Sequence, residues 1–395
     1  MPYFDHITIA VPAMAERETL PRLLECLRRQ TLKNFVLNVC VNQPREWWEL
    51  PLDDWRRKVC DDNQQTIEYL SAIDDLQITI LDYSNPRHSP RIKDSGVGRA
   101  RRILMGDAKR AARSPNDDII VSLDADTTFG DHYLETIIDL FNRHHDCAAL
   151  SLPYYHPLDD GSERQMLRYE CYMRHYLLQM LRIGSPYAFT ALGAAMAFTL
   201  RAYGKAGGYS PLQAGEDFYL MQKFAKTGRI LLPYDEAVCV YPSGRTSRRV
   251  PFGTGPAVSL SLQEMAERYP FYSPRSYDDV AATYSLFPSL YAADIETPMT
   301  TFLRQQLATD DLWGPLRKNY KRQEHFVRAC TERVDGLRIL QYLKSRPYPD
   351  VPLTVDGRTV DFAHESIEQL NAVRDSLFRQ EMEARKANCE RLWQT

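Results

Sequence analysis

The sequence lacks any run of about 18 apolar residues, the length that a membrane-spanning helix needs. It also lacks a large excess of charge: 49 Lys and Arg against 52 Asp and Glu give a net charge of −3. We therefore expect neither a transmembrane segment nor an overall positive field that attracts nucleic acid. The first nine residues carry Asp5 and His6 and lack the basic-then-apolar layout of a signal peptide, so we expect a cytoplasmic protein.

Cysteine pairs with the spacing of a zinc or redox site are also missing. None of the eight cysteines forms a C-x-x-C pair, and none lies near a histidine at zinc spacing. Most of them fall in apolar runs, where a free thiol behaves as a small hydrophobic group. We expect eight reduced structural thiols, as is usual for a protein of the cytoplasm.

The chain has 395 residues, of which 44% are hydrophobic and 26% charged, enough for about two globular domains. Up to about residue 152, short apolar strands alternate with amphipathic helices. Strands are predicted at residues 5–11, 35–41, 77–82, 118–123 and 148–152, with Pro12 ending the first. Repeated β-α-β units form parallel sheets, so we predict a doubly wound α/β domain.

The pattern changes after about residue 255. Long helices are predicted at residues 259–269, 300–308, 320–343 and 364–393, with a small hairpin around Asp356-Gly357. We predict an α/β domain over residues 1–255 and a helical region over residues 256–395. Apolar stripes on these helices must be buried. They are expected to pack either on the α/β domain or on a second copy of the chain, as in a homo-oligomer.

Two acidic motifs suggest chemistry. Asp124-Ala125-Asp126 follows the fourth predicted strand, and ligands of open α/β sheets bind at the carboxyl ends of strands. Two carboxylates at this spacing suit a divalent cation together with its phosphate ligand. Gly215-Glu216-Asp217 opens a predicted helix. The pattern fits an acidic first turn, and it equally fits a general base that reaches into the cleft.

Two basic segments suit anionic phosphates. Residues 96–102 read GVGRARR at the start of a helix, and Arg101 stands where a dinucleotide motif would need its third glycine. Residues 243–249 read SGRTSRR and include Arg245 and Arg248, as in a mobile loop that closes over phosphates. Either segment also fits an ordinary solvated basic surface.

In their order and spacing these motifs resemble family 2 glycosyltransferases of the GT-A fold, over residues 3 to about 255. Pro12 and Glu16 match a Pro-x-x-x-Glu nucleotide-binding start, and Asn42 occupies the position of the usual base-contacting Asp. Arg101 matches the arginine of the family's Ala-Arg-Asn helix, and Asp124 and Asp126 match its DxD motif. Residues 193–217 resemble the acceptor-side block that ends in Glu-Asp.

The resemblance implies a GT-A type, Rossmann-like and mostly parallel sheet flanked by helices, followed by a mainly helical C-terminal region. It also implies a metal-dependent, inverting glycosyltransferase of the hexosyltransferase type, with a nucleotide-diphospho-sugar donor and a saccharide or other hydroxyl compound as acceptor. Asp217 would be the catalytic base, and Asp126 with Asp124 would hold Mn²⁺ or Mg²⁺. Pro242 stands where members of the family often have a metal-binding His. The nucleotide-sugar would be bound by Pro12, Glu16, Asn42, Arg101, Asp124, Glu216, Arg245 and Arg248.

Two other functions fit parts of the sequence. Leu123 to Thr128 also match the hydrophobic-Asp-x-Asp-x-Thr motif of haloacid dehalogenase phosphatases, in which Asp124 would form an aspartyl-phosphate. That motif usually follows the first strand of its domain, whereas three predicted strands precede it here. A sugar-binding module without catalytic activity is the third alternative, and the presence of Asp124, Asp126 and Asp217 disfavours it.

Overall fold

The computed structural model describes residues 3–112, 118–158, 161–210, 215–247, 253–346 and 351–393. Its strands are β1 (Ile7–Ala13), β2 (Phe35–Asn42), β3 (Ile78–Tyr83), β4 (Ile119–Ser122), β5 (Thr128–Phe129), β6 (Cys147–Ser151), β7 (Met196–Thr199), β8 (Arg229–Leu231), β9 (Val240–Tyr241), β10 (Thr354–Val355) and β11 (Arg358–Thr359).

The α-helices are α1 (Leu20–Arg29), α2 (Trp55–Ser71), α3 (Val97–Ala111), α4 (Tyr133–Arg143), α5 (Glu163–Arg182), α6 (Leu200–Lys205), α7 (Glu216–Thr227), α8 (Thr254–Val258), α9 (Leu262–Arg268), α10 (Pro274–Leu290), α11 (Thr300–Leu307), α12 (Gly314–Asn319), α13 (Gln323–Arg333), α14 (Gly336–Ser345) and α15 (Ile367–Trp393). No helix in the described part of the chain is both long enough and apolar enough to cross a bilayer.

The chain divides into two structural units. The sheet unit comprises Met1–Met166, Phe189–Ser259 and Arg385–Thr395, and the helical unit comprises Leu167–Ala188 and Leu260–Ala384. The predicted fold class is confirmed: a mostly parallel sheet with helices, and a helical C-terminal region. The domain boundary after residue 255 stays a prediction.

The central sheet of the sheet unit has seven strands in the order β3-β2-β1-β4-β7-β6-β8. β1 pairs in parallel with β2 and with β4, whereas β7 runs antiparallel between β4 and β6. Every residue of β4, β6 and β7 is buried, as expected for apolar strands inside an α/β sheet. Because β1 runs parallel to both β2 and β4, the carboxyl ends of these three strands lie at one edge of the sheet.

The prediction that Pro12 ends the first strand is wrong. Pro12 lies within β1 and pairs with Cys40 of β2. The ladder between β1 and β4 ends at Ala10 and Ser122. Backbone groups alternate sides along a strand, and the carbonyl of Ala10 faces β4. The missing N–H of Pro12 therefore faces the same side, beyond the last pair of that ladder, and no hydrogen bond is lost.

Helices α2 and α10 were not predicted from the sequence. The buried face of α2 includes the polar residues Asn63 and Thr66 beside Val59 and Leu70, so its apolar periodicity is weak. The single helix predicted over residues 320–343 is in fact α13 and α14. The break is at Asp335, whose carboxylate caps α14 by accepting the N–H of Arg338 at 3.1 Å.

The predicted apolar stripe of the C-terminal helices is partly buried within the helical unit. Phe326, Val334 and Leu343 are fully buried, and Tyr284 of α10 donates its hydroxyl to the carbonyl of Val334 at 2.7 Å. A second hydroxyl bond joins Tyr342 of α14 to Asp279 of α10 at 2.7 Å. Thus α10, the helix that the sequence did not predict, supplies contacts that hold this end of the unit together.

The end of the chain belongs to the sheet unit. The guanidinium of Arg385 donates to the carbonyl of Ser151 at 2.7 Å and to that of Pro233 at 3.3 Å. The thiol of Cys389 donates to the carbonyl of Leu232 at 3.3 Å. Residues near the C-terminus thus bind the backbone at the ends of β6 and β8.

A buried ion network lies inside the helical unit. Arg174 of α5 contacts Glu170 and Glu381, each at 2.5 Å, and all three side chains are fully shielded from water. A buried charge is tolerated only with partners, because its desolvation is unfavourable. The complete ion network therefore adds little net stability, but removing Arg174 from it would be strongly destabilising.

We predict that Arg174→Met lowers the free energy of unfolding by about 3–5 kcal/mol, because it removes the cation that contacts both buried carboxylates. Chemical denaturation followed by circular dichroism measures this change. The matched control is Arg328→Met, which removes an exposed i,i+4 pair with Glu332 and should change stability by less than about 1 kcal/mol. Equal effects of the two substitutions would contradict the prediction.

Candidate active site

Predicted site residues follow three neighbouring strands at the carboxyl edge of the sheet. Glu16 lies after β1, Asn42 is the last residue of β2, and Asp124 and Asp126 follow β4. Because these strands are parallel, the fold gathers residues from distant parts of the sequence at one edge. This is the edge at which open α/β sheets bind ligands.

Arg101 connects three elements of the site. It lies on the inward face of α3 and is only 2% exposed. Its Nε donates to Oε1 of Glu216 at 3.0 Å, and its Nη2 donates to Oδ1 of Asp124 at 2.7 Å. Its Nη1 donates to the hydroxyl of Ser122. Each nitrogen of the guanidinium therefore has a partner within the protein.

Gly193 completes the surroundings of Arg101. The hydroxyl of Ser122 donates to the carbonyl of Gly193 at 2.8 Å, so this residue is held against β4. A Cβ atom at position 193 would collide with the guanidinium of Arg101. Only glycine fits here, because the backbone and the buried guanidinium approach each other so closely. No pattern in the sequence pointed to Ser122, and Gly193 was predicted only as part of the block that resembles the family.

Glu216 and Asp217 begin α7. The preceding Gly215 has φ 75°, a left-handed conformation that glycine adopts readily. Glu216 is buried against Arg101, whereas Asp217 is partly buried and accepts the N–H of Phe218 at 2.7 Å. The turn therefore places one carboxylate on Arg101 and leaves its neighbour partly exposed.

The electrostatics of the two carboxyl groups differ from those of exposed acids. Burial and the charge of Glu216 raise the pKa of Asp217 to about 7, while Arg101 opposes the increase. Burial likewise raises the pKa of Glu216 and Arg101 again opposes it. A carboxyl group that titrates near neutrality can accept a proton at physiological pH, which a general base must do.

Arg245 forms a second cluster of charges. β9 pairs antiparallel with β5, the strand that directly follows Asp126, and this pairing returns the chain to the acidic loop. Nη2 of Arg245 contacts Oε1 of Glu16 at 2.6 Å and Oδ2 of Asp126 at 3.0 Å. The side chain of Arg245 is 27% exposed, so solvent reaches this guanidinium far more than that of Arg101.

The loop that carries Glu16 is held in an unusual conformation. Ala15 has φ 56°, which is strained for a residue with a side chain. Its N–H donates to Oδ1 of Asn63 at 2.9 Å, and the amide of Asn63 also donates to the carbonyl of Asn42 at 3.3 Å. Asn63 of α2 thus supports both the Glu16 loop and the end of β2. No pattern in the sequence indicated this role.

The remaining predicted residues lie at or near the same edge. Pro12 is partly buried in β1, and the side chain of Asn42 is buried at the end of β2. Arg248 lies outside the described residues. The structure thus groups Arg101 with Asp124 and Glu216, and Arg245 with Glu16 and Asp126; the binding and catalytic roles of these residues stay predictions.

Asp124 and Asp126 supply some, but not all, of the oxygen ligands that a hard divalent cation needs. Within the described ranges, no three His, Cys, Asp or Glu side chains come together as a metal cluster, and Pro242 follows β9. Asp126 already faces a positive charge, that of Arg245. Mg²⁺ and Mn²⁺ prefer oxygen ligands and are commonly held by one or two carboxylates together with phosphate and water. The residues therefore fit a cation whose coordination is completed by a diphosphate.

A family comparison covers most of these residues. Residues 119–253 match the model described as Glycosyl transferase family group 2. The match confirms the resemblance and the class of enzyme predicted from the motifs. It contains Asp124, Asp126, Gly193, Glu216, Asp217 and Arg245, whereas Pro12, Glu16, Asn42 and Arg101 precede it. The comparison with curated proteins gave no match.

Several solved structures are similar to this chain. S. aureus TarS 1-349 is 12% identical, with 98% of this chain and 91% of that chain covered and a TM-score of 0.40. A mannosyltransferase from Pyrobaculum calidifontis, in complex with GDP-Man and Mn²⁺, is 14% identical, with 83% and 86% covered and a TM-score of 0.40. The M. tuberculosis glucosyl-3-phosphoglycerate synthase is 14% identical, with 70% and 78% covered and a TM-score of 0.38.

The raised pKa of Asp217 predicts a pH-dependent stability. The folded protein binds the proton of Asp217 up to about pH 7, whereas the unfolded chain loses it near its ordinary pKa of 3.8. Stability due to this group therefore falls as the pH rises from about 4 to about 7. Asp217→Asn removes the effect, so the variant should gain stability relative to the wild type between about pH 5 and pH 8. Denaturation at several pH values measures this.

The control for this experiment is Asp75→Asn. Arg28 lowers the pKa of Asp75, which is therefore ionised in both the folded and the unfolded state over the same pH range. Its stability difference from the wild type should not change between about pH 5 and pH 8. A flat difference for Asp217→Asn as well would show that Asp217 has an ordinary pKa.

Proposed function

We propose that this chain, whose residues 119–253 match the glycosyl transferase family group 2 model, is a metal-dependent, inverting glycosyltransferase. It would move a sugar from a nucleotide-diphospho-sugar to an acceptor hydroxyl. The observation that supports this best is the single guanidinium of Arg101, which joins Asp124 to Glu216. It links the loop that would bind the donor diphosphate to the helix start that carries Asp217.

Asp217 is the general base of this proposal. As the acceptor oxygen attacks the anomeric carbon, its proton passes to the Asp217 carboxylate, and the bond between that carbon and the diphosphate oxygen breaks. The bonding electrons leave with the nucleoside diphosphate, so a single displacement inverts the anomeric centre. A pKa of about 7 makes the carboxylate both available and basic at neutral pH.

The basic side chains of the site would stabilise the departing diphosphate. Arg245 is partly exposed beside Asp126, and its guanidinium can form two parallel bonds to a phosphate group. Arg248, from the same segment, is a second candidate. Asp126, with Asp124, would hold Mn²⁺ or Mg²⁺, which when bound neutralises charge on the diphosphate.

The nucleoside would lie along the ends of β1 and β2. Pro12, Glu16 and Asn42 border this part of the edge, and Asn63 fixes the backbone on both sides of it. An asparagine amide both donates and accepts hydrogen bonds, so Asn42 can pair with more than one base. We therefore keep both uridine and guanosine diphosphates as candidate donors.

A panel of nucleotide-sugars with Mn²⁺ tests the proposed function. Slow donor hydrolysis, or transfer when an acceptor is present, would support a glycosyltransferase. Release of phosphate from sugar phosphates would favour the phosphatase alternative, and the absence of any turnover would favour a binding module. Asp217→Asn should lower kcat by about 10²-fold or more with little change in donor affinity. Retained turnover in this variant would remove Asp217 from the mechanism.

We also propose a cytoplasmic location, a saccharide or other hydroxyl acceptor, and self-association through the C-terminal helices. Support for self-association comes from Leu337 and Leu340 of α14, which stay partly exposed within the helical unit. Sedimentation equilibrium of the whole protein tests this part. A monomer at all concentrations would contradict it without affecting the catalytic proposal.

The contacts of Arg245 predict how metal and nucleotide bind. The guanidinium of Arg245 forms ion pairs with Glu16 and Asp126. A divalent cation must therefore compete with Arg245 for the carboxylate of Asp126. Arg245→Gln should therefore strengthen Mn²⁺ binding to the nucleotide-free protein by about tenfold. It should weaken the binding of UDP or GDP by a similar factor, because a charge-assisted bond to phosphate is lost. Titration calorimetry measures both constants.

The control for this pair of measurements is Arg28→Gln, which disrupts an exposed pair with Asp75 in the same unit. It should change neither constant. Tight Mn²⁺ binding that survives Asp126→Ala would show that the cation binds elsewhere, and weaker Mn²⁺ binding in Arg245→Gln would refute the competition.

A further inference from the structure

We propose that Arg101 is a positioning residue, which holds Asp124 and Glu216 in place for the reaction and does not itself bind the donor. The inference rests on the proposed function and changes the role that the family resemblance implies for this arginine. It also assigns a part in the site to Ser122 and Gly193, which hold the guanidinium from β4 and from the turn before β7.

Arg101 is too deeply buried to bind a diphosphate. A guanidinium that binds a diphosphate must present N–H groups to the cleft. The side chain of Arg101 is only 3% exposed, and each of its three nitrogens already donates to a protein oxygen. Arg245, with its side chain 27% exposed, has the accessibility that Arg101 lacks. The two arginines are therefore suited to different tasks.

Arg101 holds three separate parts of the chain in fixed relative positions. The partners of Arg101 come from the end of β4, the loop after it and the start of α7. A planar guanidinium fixes the directions of its bonds, which the single charged nitrogen of lysine cannot do. Gly193 closes the space on one side, so the guanidinium cannot shift toward it. The arrangement determines where Asp124 lies relative to Glu216, and hence relative to the adjacent Asp217.

The positive charge of Arg101 keeps Asp124 and Glu216 together. Asp124 and Glu216 would repel each other without a cation between them, and Glu216 is buried where an unpaired charge is unfavourable. Loss of the guanidinium should thus separate the acidic loop from the start of α7. Such a change displaces the proposed reacting groups and leaves the ends of β1 and β2, where the nucleoside would lie, in place. It should reduce kcat and spare nucleotide affinity.

Gly193→Ala tests this without changing any charged residue. Its new methyl group displaces the Arg101 guanidinium, and a displacement of about 1 Å in an active site can lower a rate by about 10²-fold. We expect kcat for donor turnover to fall about 30- to 100-fold, with dissociation constants for UDP and GDP within about threefold of wild type. The control is Gly204→Ala in α6, where a Cβ meets no atom within 4 Å.

Arg101→Lys is the second variant, which keeps the charge and loses the fixed bond directions. It should show the same separation, with kcat lowered and nucleotide affinity kept, and unfolding midpoints show whether each variant is folded. If Gly193→Ala does not fold, Arg101→Lys decides the question.

Weaker UDP and GDP binding with kcat retained would make Arg101 a donor-binding residue and overturn the proposal. Unchanged kcat in folded Gly193→Ala and Arg101→Lys would overturn it as well. Those results would leave the proposed function intact. A wild-type protein that binds neither nucleotide and turns over no donor would refute both.

Discussion

The positive charge of Arg101 allows the acidic edge of this sheet to exist. Asp124 and Glu216 are distant in sequence, with Glu216 lying 115 residues after Arg101, and both carboxylates contact the same guanidinium. Two acids brought together at the ends of strands repel each other unless a cation separates them. Arg101 supplies that cation from inside the fold, so the loop after β4 and the start of α7 can meet.

In the second cluster, too, one arginine lies between two carboxylates, but at a more exposed position. Glu16 and Asp126 come from the loops after β1 and β4, and Arg245 lies between them. The acidic edge is thus neutralised by two arginines that differ in accessibility. The buried one is held by hydrogen bonds to three protein oxygens, whereas the more exposed one can exchange a carboxylate for another anion. This difference gives the site a fixed part and an adaptable part.

The sequence predicted the strands that end at the site, because buried β-rich runs followed by polar residues are local features. It also predicted α7 with its acidic start, since glycine and two acids precede an apolar helix. It did not predict α2, because Asn63 and Thr66 interrupt the apolar face of that helix. Nor could it show that Arg101 points inward or that Gly193 adjoins it. Those facts depend on contacts between distant residues, which no local pattern contains.

The return of the C-terminus to the sheet unit has a consequence for biosynthesis. Arg385 and Cys389 bind the backbone of residues 151, 232 and 233, yet they are synthesised more than 150 residues later. The N-terminal part of a chain emerges from the ribosome first, and domains usually fold as they emerge. Here the edge formed by β6 and β8 lacks these contacts until residues 385–389 have been synthesised. The sheet unit therefore gains them only after the helical unit has been made.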